Sequence, residues 1–311
     1  MQASNDPRHQ LRELPTPPRM PSVRLRLRLR TSPSLRRMLP RRLVERRALR
    51  RGAELWQHNA GEREDAIAAM NAIVGDTSRA GESEQLARRS LIEDRVQTAL
   101  FWQPWSRAKM DPGAEARLRE AIASGRGVLL SACHVGPHFR ATSAIASVGR
   151  VPYSVSGPWY FEPPSHDEWG RRLARWRKGA NGIPVLSSGS FATLLARLEE
   201  AEIIYICFDQ PGRRETRFLG KTAMLADGTA RLAVAADALI LPVRSRRAGH
   251  HAWLDIASPL DPREHAAVEE LHEALAAVHE HWIMEDPATL EDPRISGWAG
   301  APLRAPVRAH P

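Results

Sequence analysis

Short apolar runs that alternate with helical segments constrain the fold of this chain more than any other feature. Beyond Gly125, the segments between the runs have helical periodicity at about 138–148, 166–178, 190–200 and 228–237. Strands that alternate with helices are typical of parallel sheets, because a parallel connection needs a crossover of a dozen or more residues. The pattern predicts an α/β domain with a largely parallel central sheet flanked by helices. The apolar runs are residues 128–133, 151–155, 203–208, 239–243 and 253–256.

An N-terminal helical segment is predicted in front of the sheet, over residues 41–105. Polar breaks near Gly61, Gly75 and Gly81 divide it into two or three helices. Between residues 86 and 101, apolar side chains recur at roughly helical spacing and predict a stripe that faces the core. This segment and the sheet are expected to form one domain over residues 41–300.

The start of a final helix is predicted at Asp261. This residue can act as N-cap, Pro262 as the first helical residue and Glu264 as the partner in a capping box. An apolar seam then continues over residues 268–282. Three histidines of this helix invite a metal interpretation, but no Cys or HExxH frame accompanies them, so no metal is predicted. They are His272, His279 and His281.

The basic charge of the chain is concentrated at the N-terminus. Its net charge is +9, from 45 basic and 36 acidic residues. Residues 1–50 hold 14 Arg against three acids, a balance of +11 (14 − 3), so the remainder sums to about −2 (9 − 11). Frequent prolines predict a disordered Arg-rich arm over residues 1–40, and residues 301–311 form a tail. The arm is interpreted as adsorbing to an anionic membrane surface, as a solvated tail, or as sequence before the true start.

Composition excludes several classes of protein. A hydrophobic content of 42% supports a core and excludes disorder throughout. No run of eighteen apolar residues and no signal-peptide core is present, so no membrane span is expected. The two cysteines lie in predicted buried strands rather than in a disulfide framework, which favours a reducing, cytoplasmic compartment. The arm contains no Phe, Trp or Tyr, so nucleic acid is not an expected partner.

Two chemically active side chains follow predicted strands. His134 comes directly after the run 128–133, and Asp209 directly after the run 203–208. The carboxyl ends of parallel strands share one edge of a sheet, which is where α/β folds bind ligands. Cations follow as well: Arg213 and Arg214 come after Asp209, and Arg244 ends a third strand. Their grouping favours recognition of phosphate or carboxylate.

The order of these motifs resembles the lipid A biosynthesis acyltransferases, of the lauroyl/myristoyl type, within the lysophospholipid acyltransferase superfamily. The resemblance extends from about Arg46 to Trp298. The motifs that carry it are His-x-Gly at 134–136, Tyr153, Asp-Gln at 209–210, Phe-x-Gly at 218–220, Gly-Thr-Ala-x-Leu-Ala at 228–233 and Leu-Pro-Val at 241–243.

This resemblance implies transfer of a fatty acyl group to a hydroxyl of a lipid or glycolipid at the cytoplasmic face of the membrane. The donor would be an acyl carrier protein or CoA thioester, which is a cosubstrate, and no cofactor is implied. His134 takes the position of the family's catalytic base. The implied substrate-binding residues are Gly136, His138, Tyr153, Gln210, Arg213, Arg214, Gly220 and Arg244.

The sequence departs from the family's His-x4-Asp/Glu motif, because Phe139 stands where the acid belongs. An imidazole without an orienting carboxylate is a poor base. Asp209 is one replacement for the acid, and Glu162 or Asp167 is another. The remaining interpretation is a degenerate homologue that binds lipid or acyl groups without turnover.

The neighbours of His134 permit two further interpretations. His138 either contacts His134 or the acceptor, or fills a structural position. Cys133 would make the mechanism covalent if His134 activated it. Adjacent residues of a strand point to opposite faces, so direct attack by the acceptor is favoured over a Cys133 nucleophile.

Overall fold

A computed structural model describes residues 38–101, 103, 106–157, 161, 182–187, 191–293 and 298. Most of the predicted arm, the predicted helix at 166–178 and the tail lie outside the described residues. The alternative acids Glu162 and Asp167 also lie outside them.

The described residues form eight α-helices and nine strands. The helices are α1 (Arg41–His58), α2 (Ala60–Val74), α3 (Ser83–Phe101), α4 (Pro112–Ala123), α5 (Ala141–Ala146), α6 (Phe191–Glu199), α7 (Gly228–Ala236) and α8 (Val268–Glu285). The strands are β1 (Ala108–Met110), β2 (Val128–Ala132), β3 (Tyr153–Ser156), β4 (Ile183–Leu186), β5 (Ile203–Cys207), β6 (Pro211–Phe218), β7 (Lys221–Leu225), β8 (Leu239–Ala248) and β9 (His251–Ile256).

Seven of these strands form one sheet in the order β1-β9-β8-β2-β5-β3-β4. The run from β8 to β4 is parallel throughout, whereas β9 is antiparallel to β8 and β1 is parallel to β9. The predicted largely parallel α/β sheet is therefore confirmed. Strand β2 lies at its centre, between β5 and β8.

Helices cover both faces of the sheet, because the central strands are apolar on both sides. Leu129 of β2 belongs to a core that α2, α3, α6, α7 and α8 complete, whereas Val128 and Leu130 belong to a second core with α4 and α5. All five residues of β2 are buried. Burial on two faces explains why this strand reads as a continuous apolar run rather than an alternating one.

Two or three helices were expected over residues 41–105, and three are present as α1, α2 and α3. The breaks between them fall at Asn59 and between Gly75 and Glu82, close to the predicted glycines. Gly52 lets α1 approach α3 closely, since a Cβ there would lie 2.7 Å from Cα of Ile92. On α3, the predicted stripe is buried at Leu86, Leu91, Val96 and Leu100.

A buried arginine joins the helical segment to the loop after β2. Arg140 ends a short 3-10 helix, His138–Arg140, and its guanidinium donates to the carbonyls of Leu100 at 3.0 Å, of Phe101 and of Ser106. These carbonyls lie at and beyond the carboxyl end of α3, where a cation is favourable. Burial lowers the pKa of Arg140 to about 10, so the side chain stays charged at neutral pH.

The predicted start of the last helix is wrong. Pro262–Glu264 form a single 3-10 turn, His265 is extended, and α8 begins only at Val268. The Asp261 carboxylate does accept the amide of Arg263, but it also pairs with Arg126 near β2, so it closes a turn instead of capping α8. The N-cap of α8 is Ala267, without a side-chain hydrogen bond, so the predicted capping box does not form.

Residues 211–225 form an antiparallel hairpin of β6 and β7, which the apolar runs did not indicate. The hairpin turns at Leu219 and Gly220, both with positive φ. The strand pattern is weak because only Thr216 and Phe218 of β6 are buried, while Arg213, Glu215 and Arg217 are exposed. Strands β1 and β4 and helix α4 are further elements that the apolar runs did not indicate.

Candidate active site

The register of the sheet brings His134 and Asp209 together. In the parallel pair of β2 and β5, Ala132 lies opposite Cys207, and each candidate residue follows two positions later. The two side chains therefore leave the same edge of the sheet from neighbouring strands. This is the edge at which parallel α/β sheets bind their ligands.

One carboxylate holds both the backbone and the ring of His134. Asp209 Oδ2 accepts the His134 amide at 2.9 Å, and Oδ1 lies 2.8 Å from Nδ1. Because a carboxylate only accepts hydrogen bonds, Nδ1 carries a proton and Nε2 remains to exchange one. The Asp209 side chain is 1% exposed and that of His134 is 19% exposed, so the carboxylate is shielded while the imidazole is accessible.

The pair shifts both acid-base equilibria. Burial favours neutral His134, but the charge and hydrogen bond of Asp209, together with Cys207, outweigh it and raise the pKa of His134 well above 6.5. Burial would raise the pKa of Asp209, but the charge and hydrogen bonds of His134 lower it. Asp209 is thus a stable anion, and His134 accepts a proton more readily than an ordinary histidine.

The loop that carries His134 is clamped from two sides. At Gly136, with φ of +58°, a Cβ would lie 2.3 Å from the Ser245 carbonyl oxygen, so only glycine fits against β8. On the other side, the Gly136 amide donates to the Thr289 carbonyl at 2.8 Å, and the Glu291 amide donates to the His134 carbonyl at 2.9 Å. Gly136 therefore shapes the loop through its backbone.

His138 and Phe139 lie beside the base. The ring of His138 is 4.9 Å from that of His134, nearly perpendicular to it, and its Nδ1 is 3.3 Å from the Gly136 carbonyl oxygen. Phe139 packs on His138 with ring centroids 3.9 Å apart and remains 38% exposed. The position of the motif acid is thus occupied by an aromatic ring at the surface of the site.

Two of the predicted anion-binding cations are engaged in ion pairs. Arg214 on β6 pairs with Glu269 of α8. Arg244 on β8 pairs with Glu285 and, at 3.3 Å, with Asp255. These contacts attach α8 to both sheets.

The other predicted substrate-binding residues lie in three separate places. Gln210 is exposed next to Asp209, and Arg213 is exposed at the start of the hairpin. Tyr153 begins β3 opposite Ile204, three positions before the end of β5, with the Arg197 guanidinium 5.3 Å from its ring. Gly220 packs on the loop between α2 and α3, where a Cβ would lie 2.0 Å from the Asp76 carbonyl oxygen.

The two cysteines face opposite sides of the sheet. Cys133 belongs to the core on one face, and Cys207 packs against the core on the other. Burial raises the pKa of Cys133 well above its ordinary value, with smaller contributions from Asp209 and Cys207, so this thiol stays protonated at neutral pH. Cys207 lies on the side of His134 and contributes to its raised pKa. A Cys133 nucleophile thus has neither the charge state nor the orientation it would need.

Two groups of side chains bring ligand-type atoms within 4.8 Å of one another. One contains His134, His138 and Glu291, and the other His134, Cys207 and Asp209. Because Asp209 already binds the protonated Nδ1 of His134, we interpret both groups as an acid-base cluster rather than a metal centre. The three histidines of α8 do not converge: His272 bonds Thr216 at 2.8 Å, His279 lies 3.2 Å from Ser131 Oγ, and His281 is exposed.

His279 is a buried, neutral histidine behind the site. Its ring stacks on Phe208 with centroids 5.1 Å apart, and burial lowers its pKa to about 4, against the weaker opposing effect of Asp209. An unfolded chain takes up this proton near pH 6.5. The folded state therefore loses stability as the pH falls from about 6.5 towards 4.

Replacing His279 by glutamine should reduce the loss of stability in acid. Between pH 7 and pH 5, this histidine lowers the free energy of unfolding of the wild type by about 2 kcal/mol. In His279→Gln, the drop in unfolding free energy between these pH values should be smaller than in wild type by that amount. Urea unfolding at the two pH values measures the difference. His281→Gln, on the exposed side of the same helix, serves as the control and should behave as wild type. An unchanged pH dependence in His279→Gln would refute the assignment.

Within the described part of the chain, Glu291 and Cys207 are the residues near His134 that the sequence did not indicate. Glu291 follows the last 3-10 turn, and the antiparallel bridge between Val135 and Leu290 sets its place beside the His134 loop. Such a contact joins segments more than 150 positions apart, so no local pattern reveals it. Cys207 was noted only as part of a buried strand.

Comparison with known proteins identifies the class of this protein as an acyltransferase that acts on lipids. A family model described as bacterial lipid A biosynthesis acyltransferase matches residues 34–290. The chain belongs to this family, as the order of its motifs indicated. No curated protein matches the chain.

Among solved structures, the chain is similar to the 1-acyl-sn-glycerophosphate (LPA) acyltransferase PlsC from Thermotoga maritima. The two sequences are 16% identical, with a TM-score of 0.39, and the similarity covers 67% of this chain and 84% of that chain. Over the described residues, no helix is long and apolar enough to cross a membrane.

Proposed function

We propose that this protein transfers a fatty acyl group from an acyl carrier protein or CoA thioester to a hydroxyl of a lipid or glycolipid, with His134 as the general base. The observation that carries the proposal is the contact of Asp209 with both the amide and Nδ1 of His134. Asp209 thus replaces the acid that Phe139 displaces from the motif.

The chemistry follows from this geometry. Nε2 of His134 takes the proton of the acceptor hydroxyl as its oxygen attacks the thioester carbonyl carbon. The tetrahedral intermediate then releases the thiolate, which receives the proton from the imidazolium, and an ester replaces the thioester. Asp209 keeps the ring in the required tautomer and stabilises its positive form in both steps. The reaction needs no cofactor besides the acyl donor.

The basic amino end of the described chain supports an anionic partner. Met38 and Leu43 are 80% and 55% exposed next to Arg41 and Arg42, so apolar and cationic groups share one surface. Such a surface suits the inner face of a membrane with anionic lipids. Acyl carrier proteins are acidic and would be attracted to the same charge. A peripheral position at the cytoplasmic face of the membrane is part of the proposal, with lipid A precursors as one class of acceptor.

A transfer assay tests the function. The full chain is incubated with radiolabelled long-chain acyl thioesters, of acyl carrier protein in one arm and of CoA in the other, and with anionic vesicles that contain a lipid extract. Label should move to lipid, and His134→Ala should reduce the rate by about 10⁴ or more. His281→Ala, an exposed histidine outside the site, is the matched control and should retain activity.

The second candidate function is binding without turnover, which the aromatic residue at position 139 favours. It predicts that neither thioester is consumed while long-chain acyl ligands bind saturably. That pattern, or full activity in His134→Ala, would overturn the proposed mechanism.

A further inference from the structure

Besides Asp209, a second carboxylate, that of Glu291, lies near the His134 ring. A carboxylate oxygen of Glu291, a ring nitrogen of His138 and a ring nitrogen of His134 all lie within 4.8 Å of one another. Asp209 is buried, whereas Glu291 is exposed at the open part of the site. Two carboxylates therefore lie near one imidazole, one of them buried and the other exposed to solvent.

The position of Glu291 is set by backbone contacts. Leu290 bridges Val135 in antiparallel fashion, and the Glu291 amide donates to the His134 carbonyl at 2.9 Å. The adjacent Gly136 amide donates to Thr289 at 2.8 Å. These three contacts hold the segment 289–291 along the loop of the base. The Glu291 side chain thus starts from a fixed place next to His134, although its end is exposed.

We propose that Glu291 is a positioning residue that stabilises the imidazolium of His134 during acyl transfer; this inference rests on the proposed function. A negative charge about 5 Å from a histidine favours its protonated form. In the free protein, water screens this attraction. When an acyl donor and a lipid acceptor cover the site, water is displaced and the same attraction strengthens. Glu291 therefore acts mainly in the substrate complex.

The effect of Glu291 in the free protein and its effect in the substrate complex can be measured separately. The pH profile of kcat/KM reports ionisation in the free enzyme, whereas that of kcat reports ionisation in the substrate complex. Among the residues that the structure describes, the titratable groups that face His134 are Asp209, Cys207, His138 and Glu291. Only Glu291 among them is exposed. Its removal should thus affect the kcat profile more than the kcat/KM profile.

The test is Glu291→Gln in the transfer assay, with full pH profiles. We expect kcat to fall about tenfold and KM to change less than about twofold. The inflection of the kcat profile should move to lower pH by about one unit, and that of kcat/KM by about 0.3 unit or less. Glu291→Asp, which restores the charge, should return the inflection close to the wild-type value. Asp292→Asn removes the next carboxylate along the chain and should leave both profiles unchanged.

Two results would overturn the inference. One is a Glu291→Gln variant with wild-type kcat and profile, and the other is a loss of kcat without any shift of the inflection, which would indicate a structural role. In either case, an inactive His134→Ala variant in the same assay would leave the proposed function intact. Activity in His134→Ala would instead reject the proposed function itself.

Discussion

Replacing Asp209 by asparagine is expected to lower kcat about 10⁴-fold, by analogy with the orienting aspartate of serine proteases. Asparagine still accepts the His134 amide through its oxygen, but it presents an NH₂ group to Nδ1. The ring then adopts the other tautomer, with its proton on Nε2, and cannot take a proton from the acceptor. KM should change much less, because no contact with the substrate is removed. Steady-state transfer rates measure the effect.

Asp255→Asn is the control for this substitution. Asp255 is a partly buried carboxylate of the same sheet that pairs with Arg244 and Arg246, away from His134. Its replacement should leave kcat within a few-fold of wild type, and thermal unfolding should verify that both variants are folded. An Asp209→Asn variant with more than a tenth of wild-type kcat would show that another group orients the base.

The rate of acyl transfer should rise with pH about tenfold per unit until His134 is deprotonated. Asp209 and Cys207 raise the pKa of His134 well above 6.5 despite burial, so the ring is protonated in mildly acidic solution. A protonated ring cannot act as a base, and kcat/KM should therefore increase with pH and level off above an inflection higher than 6.5. Between pH 5 and pH 7 we expect a change of roughly 100-fold.

Asp209→Asn should move this inflection to lower pH, because removal of the carboxylate leaves burial as the main influence on the pKa of His134. The thioester hydrolysis rate without enzyme is subtracted at each pH. A profile that is flat, or one whose inflection lies below 6.5 in the wild type, would disagree with the raised pKa of the base.

The parts of the fold that the sequence predicted are those with strong local patterns. The buried strands β2 and β5 are continuous apolar runs, and α3 carries a clear apolar stripe. The start of α8 was wrong because local signals at Asp261 serve a turn and an ion pair with Arg126. The hairpin β6–β7 was missed because its cations point outward and few of its side chains are buried.

Residues of the site also differ in whether the sequence could predict their positions. His134 and Asp209 could be placed together from the sequence, because each residue follows the carboxyl end of a strand in a parallel sheet. Only the order of those strands was unknown. Glu291 could not, since its position depends on a bridge between Val135 and Leu290 that joins distant segments. Arg214 and Arg244 were predicted on one rim, but the acids that pair with them, Glu269 and Glu285, lie on α8. Pairing across elements is not visible in a sequence.

The central claim is that His134 and Asp209 act as one unit, and a double-mutant cycle tests it most directly. Single-turnover transfer from a radiolabelled acyl thioester is measured for wild type, His134→Ala, Asp209→Asn and the double variant. If Asp209 acts only through His134, the double variant should be no slower than His134→Ala alone, because residues of one catalytic unit are strongly non-additive. Losses that multiply in the double variant would contradict the account, since they would show that the two residues contribute independently.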